Sequence, residues 1–185
     1  DDSNDVDFLF RFWCPEEKIY DKRNKYAGQY QAWAREGKIM TTPGNAIDKA
    51  FIKKQILEDA EKFNLIDMNV DALFQGYDIA MELAQELGED RVIAMRQGFI
   101  SYAAPMKDFE ERLLKRQLHH GGHPVARFCA DNVVVAKDAA DNYKPDKANS
   151  QAKIDGVVCM VMALDRLGRK QTFRSIYEDN GVIVL

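Results

Sequence analysis

A polar loop that runs straight into a wholly apolar segment constrains this chain more than any other stretch. Lys144-Pro145-Asp146-Lys147-Ala148-Asn149-Ser150-Gln151-Ala152-Lys153-Ile154-Asp155-Gly156 leads into Val157-Val158-Cys159-Met160-Val161-Met162-Ala163-Leu164. Eight consecutive apolar residues are too few to span a bilayer and read as a helix buried in protein. Asp155 then falls in the first turn of that helix, on one side with Val158, Cys159 and Met162. An ionised carboxylate at such a place is costly unless it is paired, hydrogen-bonded or coordinated. Two solutions stand open: an acid that serves backbone N–H groups and the helix dipole, or a metal ligand.

The rest of the chain must supply what surrounds that helix, and 185 residues are enough for one domain with a sizeable core. Phe8-Leu9-Phe10-Arg11-Phe12-Trp13 is aromatic-rich and predicts a strand, after an acidic lead-in from Asp1 to Asp7 that lacks a signal peptide's basic n-region. Pro15-Glu16-Glu17 starts a helix whose stripe is Ile19, Tyr26, Tyr30 and Trp33, ended by Gly37. Asn45 or Asp48 caps the next, with Ile47, Phe51, Ile52, Ile56, Ala60 and Phe63 on one face. A strand over 65–71, a helix over Gly76 to Leu87, a strand over 91–95 and a helix over Pro105 to Leu118 follow. That alternation is the signature of α/β architecture with parallel neighbours. A helix after Pro124, a strand over 132–137, a return at Tyr143 to Lys147 and a possible edge strand at Gly181 to Leu185 complete the reading.

Asp71 closes the apolar strand, and ligands of open α/β sheets bind beyond the carboxyl ends of strands. If Asp155 lies across that strand end, the two carboxylates suit Mg²⁺ or Mn²⁺, hard cations that leave positions for water and phosphate. Strand-end aspartates are also common turn residues, so spacing alone leaves both readings standing. Lys144, Lys147 and Lys153 flank Asp155 and are candidates for contact with a nucleic-acid backbone, with a solvated loop as the plain alternative. His119-His120-Gly121-Gly122-His123 looks metal-like, but zinc sites draw on two separated clusters and no cysteine pair accompanies this one. Cys14, Cys129 and Cys159 are widely spaced and suggest reduced core thiols in an intracellular setting. A net charge of −4 argues against a protein that coats nucleic acid, though not against a local patch. No P-loop, dinucleotide fingerprint or nucleophile elbow occurs.

Several of these blocks, in order, resemble one family. They are Thr42-Pro43-Gly44-Asn45, Arg96-Gln97-Gly98-Phe99, the run from Ala104-Pro105 to His120-Gly121-Gly122-His123-Pro124-Val125, Asn132-Val133-Val134-Val135, Lys144-Pro145-Asp146-Lys147 and Ile154-Asp155-Gly156-Val157-Val158. From about Phe12 to Leu167 the chain is similar to the C-terminal nuclease domain of the large terminase subunit of tailed bacteriophages and their prophages. The resemblance implies a ribonuclease-H-like α/β fold, a mixed central sheet flanked by helices. It implies a two-metal Mg²⁺ or Mn²⁺ endonuclease that cuts concatemeric double-stranded DNA during packaging, with Asp71 and Asp155 as metal-binding catalytic acids and Lys147 as the basic residue of the preceding loop. Terminase small subunit, portal and capsid components are the implied partners, and the bacterial host's cytoplasm the implied location, with no membrane involved. Two departures stand out. The family's first metal-binding Asp lies on an opening strand that Asp5 and Asp7 do not match, so residues 1–185 are expected to form a single nuclease-type domain without that strand and without the packaging ATPase. The family's Arg-Trp-Asn run after the strand-end acid is Ala72-Leu73-Phe74 here. The alternative to an enzyme is a non-catalytic module that docks on capsid or portal components through its apolar C-terminal segment.

Overall fold

The computed structural model describes residues 4–71 and 76–177, with side chains as far as 169. Phe8, Phe10 and Phe12 stack in succession, with ring centroids 6.0 and 5.5 Å apart, as alternate residues of an extended chain must. This aromatic segment is extended as expected but is laddered only at its two ends. Strand β1 (Val6–Asp7) pairs in parallel with β6 (Leu118–His119), and β2 (Trp13–Pro15) with β3 (Met40–Thr42). Strands β4 (Met68–Asp71) and β5 (Val92–Met95) form a third parallel pair, with Asp71 opposite Met95. The expected return of the chain is an antiparallel hairpin of β7 (Val135–Lys137) and β8 (Tyr143–Pro145).

The helix expected from Pro15 to Gly37 is two helices, α1 (Glu16–Ile19) and α2 (Ala27–Arg35). Local side chains break it. Asp21 Oδ1 accepts from the Arg23 N–H at 3.0 Å and Asn24 Oδ1 from the Tyr26 N–H at 2.9 Å, turns that compete with helical bonding. Helix α3 (Lys49–Phe63) is capped by Asp48, whose side chain accepts from the Ala50 N–H, and ends at Asn64 in the left-handed region. Its predicted apolar face is only partly covered, and Phe51 and Phe63 are exposed.

Helix α4 spans Gly76–Leu87 as anticipated, but α5 runs Phe99–Leu114 rather than Pro105 to Leu118. Proline was expected at its first turn and stands inside it instead. Pro105 forgoes one backbone hydrogen bond there, and burial of Tyr102 and Met106 on the same core offsets that loss. Leu118, read as the helix end, is in β6. Helix α6 (Pro124–Asn132) has proline at its first position.

Everything converges on α7 (Asp155–Tyr177), which packs against α5, α6 and β4. Val157, Val158, Met160, Val161, Met162 and Leu164 are buried, so the apolar run does form the core. Thr172 to Tyr177 extends this helix, and the edge strand expected at Gly181 to Leu185 lies outside the described residues. A second core of Ile19, Trp33, Ile39 and Val125 sits under α1 and α2, and Phe12 packs against both. Among the described residues no helix is long and apolar enough to cross a membrane.

Candidate metal and nucleic-acid site

Asp155 is the first residue of α7, and Gly156 behind it explains how close that helix end can come to its neighbours. A Cβ built on Gly156 would stand 3.0 Å from Phe12 Cζ and 3.2 Å from Cys129 Sγ, tighter than ordinary contact. Only glycine lets the first turn settle between the aromatic strand and α6. The Asp155 carboxylate takes the Lys147 ammonium at 2.8 Å, with both side chains about half exposed. Charge pairing, rather than backbone capping, is therefore the contact this acid makes among the described residues.

Lys147 is presented by a turn that Asp146 builds. Its carboxylate accepts from the Ala148 and Asn149 N–H groups and from the Asn149 amide, which holds it below the usual carboxylate range. Asp146 N–H donates to Val134 O, tying the turn to β7. Asp71 is fixed from the other side, at the last position of β4. A Cβ on Gly76 would collide with the Asp71 carbonyl oxygen, so α4 can start against this residue only because position 76 is glycine.

Both carboxylates act on the same two groups. Burial works to lower the Lys147 pKa, and its hydrogen bond to Asp155, with the charges of Asp155 and Asp71, outweighs that and raises it. Cys159, one turn along α7 from Asp155, is exposed at the floor of a concavity walled by protein. That surrounding mass, together with Asp155 and Asp71, pushes its thiol up to about 11. Tyr102 is buried nearby; desolvation and then Asp71 push its hydroxyl strongly upward, and it donates to Gln97 Oε1.

Three of the five residues singled out in the sequence, Asp71, Asp155 and Lys147, thus share one neighbourhood. Lys153 lines the adjoining cleft with Lys147 and Asp155. Lys144 is engaged elsewhere, donating to Gln97 O at 2.9 Å with its ammonium 5.2 Å from the Phe99 ring. The histidines have separate surroundings: His119 pairs with Asp5 at 3.4 Å, His120 lines a small apolar cavity, and His123 stacks against Phe10 and Phe12. Among the described residues no group of three His, Cys, Asp or Glu side chains is placed to hold a metal ion.

Sequence reasoning missed Asn69. Its amide donates to Met162 O and to Asp165 Oδ2, both at 2.9 Å, locking β4 onto α7 behind the acids. The signal was present: Asp67, Asn69 and Asp71 alternate with Ile66, Met68 and Val70, a polar strand face. Tyr102 carried no comparable signal, and Gln97 was marked only as part of the Arg96-Gln97-Gly98-Phe99 block, with no role attached.

With this geometry in hand, the chain's likeness to known proteins can be stated. The family described as "Terminase large subunit, endonuclease domain" matches residues 10–170. The large terminase subunit of Enterobacteria phage HK97 is 34% identical over 154 residues, 83% of this chain and 30% of that protein. Protein YmfN of Escherichia coli (strain K12) is 28% identical over 164 residues, 84% of this chain and 35% of that protein. The chain thus spans about a third of the length of these relatives. The crystal structure of the HK97 large terminase superposes with a TM-score of 0.78 at 30% identity, over 90% of this chain and 34% of that one. The fold is the mixed α/β, ribonuclease-H-like one that the resemblance implied.

Proposed function

This chain belongs to the terminase large-subunit endonuclease-domain family, and from that premise we propose that it is a divalent-metal-dependent DNA endonuclease that cuts concatemeric DNA during phage genome packaging in the bacterial cytoplasm. The observation that carries the reading is the ion pair of Lys147 with Asp155 at 2.8 Å, beside which the charge of Asp71 also favours the protonated ammonium.

The donor set fits a hard cation. Asp71 and Asp155 offer carboxylate oxygens, and Mg²⁺ commonly uses one or two carboxylates with water and substrate phosphate filling its remaining positions. The positive charge already drawn to this place, the Lys147 ammonium, marks where a cation is favoured. Asp71 and Asp155 would hold Mg²⁺ or Mn²⁺, which would supply water activation and charge neutralisation for phosphodiester hydrolysis. The protein's own share is orientation and charge. Asp155 orients the Lys147 ammonium at 2.8 Å, and that ammonium would be placed to meet a substrate phosphate at this site. Asn69 keeps the two acids in step. Contacts of this kind read backbone rather than sequence, so cleavage with little base preference follows.

The test is nicking of supercoiled plasmid with Mn²⁺ or Mg²⁺ by the wild type, Asp71→Asn and Asp155→Asn. Metal-dependent nicking that both substitutions abolish supports the proposal; nicking indifferent to both overturns it. A second reading, a docking module for capsid or portal components, draws support from the exposed Leu9, Phe63 and Ile66 around one groove. It gains if the wild type neither nicks DNA nor takes up Mn²⁺ in calorimetry.

A further inference from the structure

A cleft of about 770 Å³ opens beside Asp155, lined by residues of α1, α2 and the loop that precedes α7. Phe12, Tyr26, Tyr30 and Phe128 line it, with Tyr26 edge-on to Phe128 and their centroids 4.9 Å apart. Cations ring the opening. Arg23 is spoken for by Asp21 at 2.9 Å and Lys147 by Asp155. Lys18, Lys25 and Lys153 have no carboxylate partner among the described residues, and Lys25 instead lies 4.7 Å from the centre of the Tyr26 ring. Lys18, Lys153 and Cys14 line the cleft together; burial raises the Cys14 thiol while both ammoniums pull it down. On a chain of net charge −4, three uncompensated cations in one concavity are a local exception that needs a polyanion.

The aromatic lining narrows the choice of polyanion. An acidic peptide would answer the lysines and leave the rings unused, whereas a nucleic-acid strand offers phosphates for the rim and planar bases for the rings. A paired base in a duplex has its faces covered by its neighbours and offers none to a ring such as Tyr26. We propose that this cleft seats a short unpaired stretch of a nucleic-acid strand next to the carboxylate pair, with phosphates on Lys18 and Lys153 and a base against Tyr26. The inference rests on the nucleic-acid reading of the site and adds to it a preference for locally opened over fully paired strands.

Fluorescence anisotropy in EDTA tests it without cleavage. The probes are a labelled oligothymidine of about 15 nucleotides and a blunt duplex of the same length. The single strand is expected to bind at least about 5-fold tighter than the duplex, and Tyr26→Leu to weaken it by about 5- to 100-fold, the range for one lost base–aromatic stack, with duplex binding unchanged. Lys18→Glu and Lys153→Glu should weaken single-strand binding and flatten its salt dependence; Lys107→Glu, the same charge change on an exposed lysine of α5 outside the cleft, should do neither. Should Tyr26→Leu lose its fold by circular dichroism, the two surface lysine variants still decide. Equal affinity for both probes, or cleft-lysine variants no weaker than Lys107→Glu, overturns the proposal even if the plasmid assay is positive. A single-strand preference without plasmid nicking upholds the cleft and refutes the nuclease reading alone.

Discussion

Substituting Gly156 by alanine adds one methyl group at the most constrained point behind Asp155. That carbon would meet Phe12 Cζ at 3.0 Å, Cys129 Sγ at 3.2 Å and Cys129 Cβ at 3.3 Å. Phe12 packs into both cores and Cys129 is 2% exposed, so neither wall can retreat freely. Overpacking of this kind costs about 1–3 kcal/mol. Against it stands the helix preference of alanine over glycine, at most about 1 kcal/mol. The net expectation is a loss of about 1 kcal/mol, or a fall in Tm of about 2–4 °C for a chain of this size. Urea unfolding of the wild type, Gly156→Ala, Cys129→Ala and the double variant measures it. Removing the Cys129 sulfur clears one wall, so the double variant should be less destabilised than the two single effects add up to, by about 1 kcal/mol. Because the first turn of α7 carries Asp155, Gly156→Ala should also weaken Mn²⁺ uptake. A variant more stable than wild type, with strictly additive behaviour in the cycle, refutes the packing argument.

Three other outcomes follow from the same geometry. Asp155→Asn should change metal-free stability by no more than about 1 kcal/mol, since the bridge it breaks is half exposed on both sides, while abolishing the rise of about 3–6 °C that Mn²⁺ at about ten times its Kd gives the wild type in thermal scans. The pH dependence is fixed in sign: the folded pKa of Lys147 lies above its ordinary 10.5, so its contribution is complete below 10.5 and fades as pH rises through the raised value, and unfolding of the wild type and Lys147→Met should converge at strongly alkaline pH. Asn69→Leu deprives Asp165, 8% exposed, of one donor and leaves it with Arg169; a loss of about 1–3 kcal/mol is expected in urea, and a loss under about 0.5 kcal/mol would show the clamp to be idle.

Legibility in the sequence divided along a physical line. Features set by local periodicity came through: α4 to its residues, the buried run of α7, the Asp48 cap, the hairpin around Tyr143. Features set by competition between local and distant contacts did not. The stripe Ile19-Tyr26-Tyr30-Trp33 suited one long helix, but Asp21 and Asn24 spent their side chains on turns. Pro105 looked like a first-turn residue, and the tertiary packing of Tyr102 and Met106 carried the helix upstream through it. At the site, Asp155 was legible because a charge at the head of an apolar helix demands an answer. The resemblance singled out Lys147 among the loop lysines, but its partner was not legible: only the fold turns Lys147 to Asp155 and Lys144 to Gln97.

The contacts between β4 and α7 set where the two acids stand along that interface. Asp67 pairs with Arg166, Asn69 bonds Met162 O and Asp165, and Asp71 acts on Lys147 and Cys159 beside Asp155. Residue numbers rise along the strand as they fall along the helix, so the two elements run antiparallel. From the Asn69–Met162 bond, two strand residues at about 3.3 Å each carry the chain about 7 Å to Asp71. Seven helical residues at about 1.5 Å each carry α7 about 10 Å in the same direction to Asp155. The two residues therefore stand toward the same end of the interface, a few ångströms out of step along it. A clamp behind the site sets that offset. The register set by the half-buried Asn69 amide is therefore what the proposed pairing of these acids depends on.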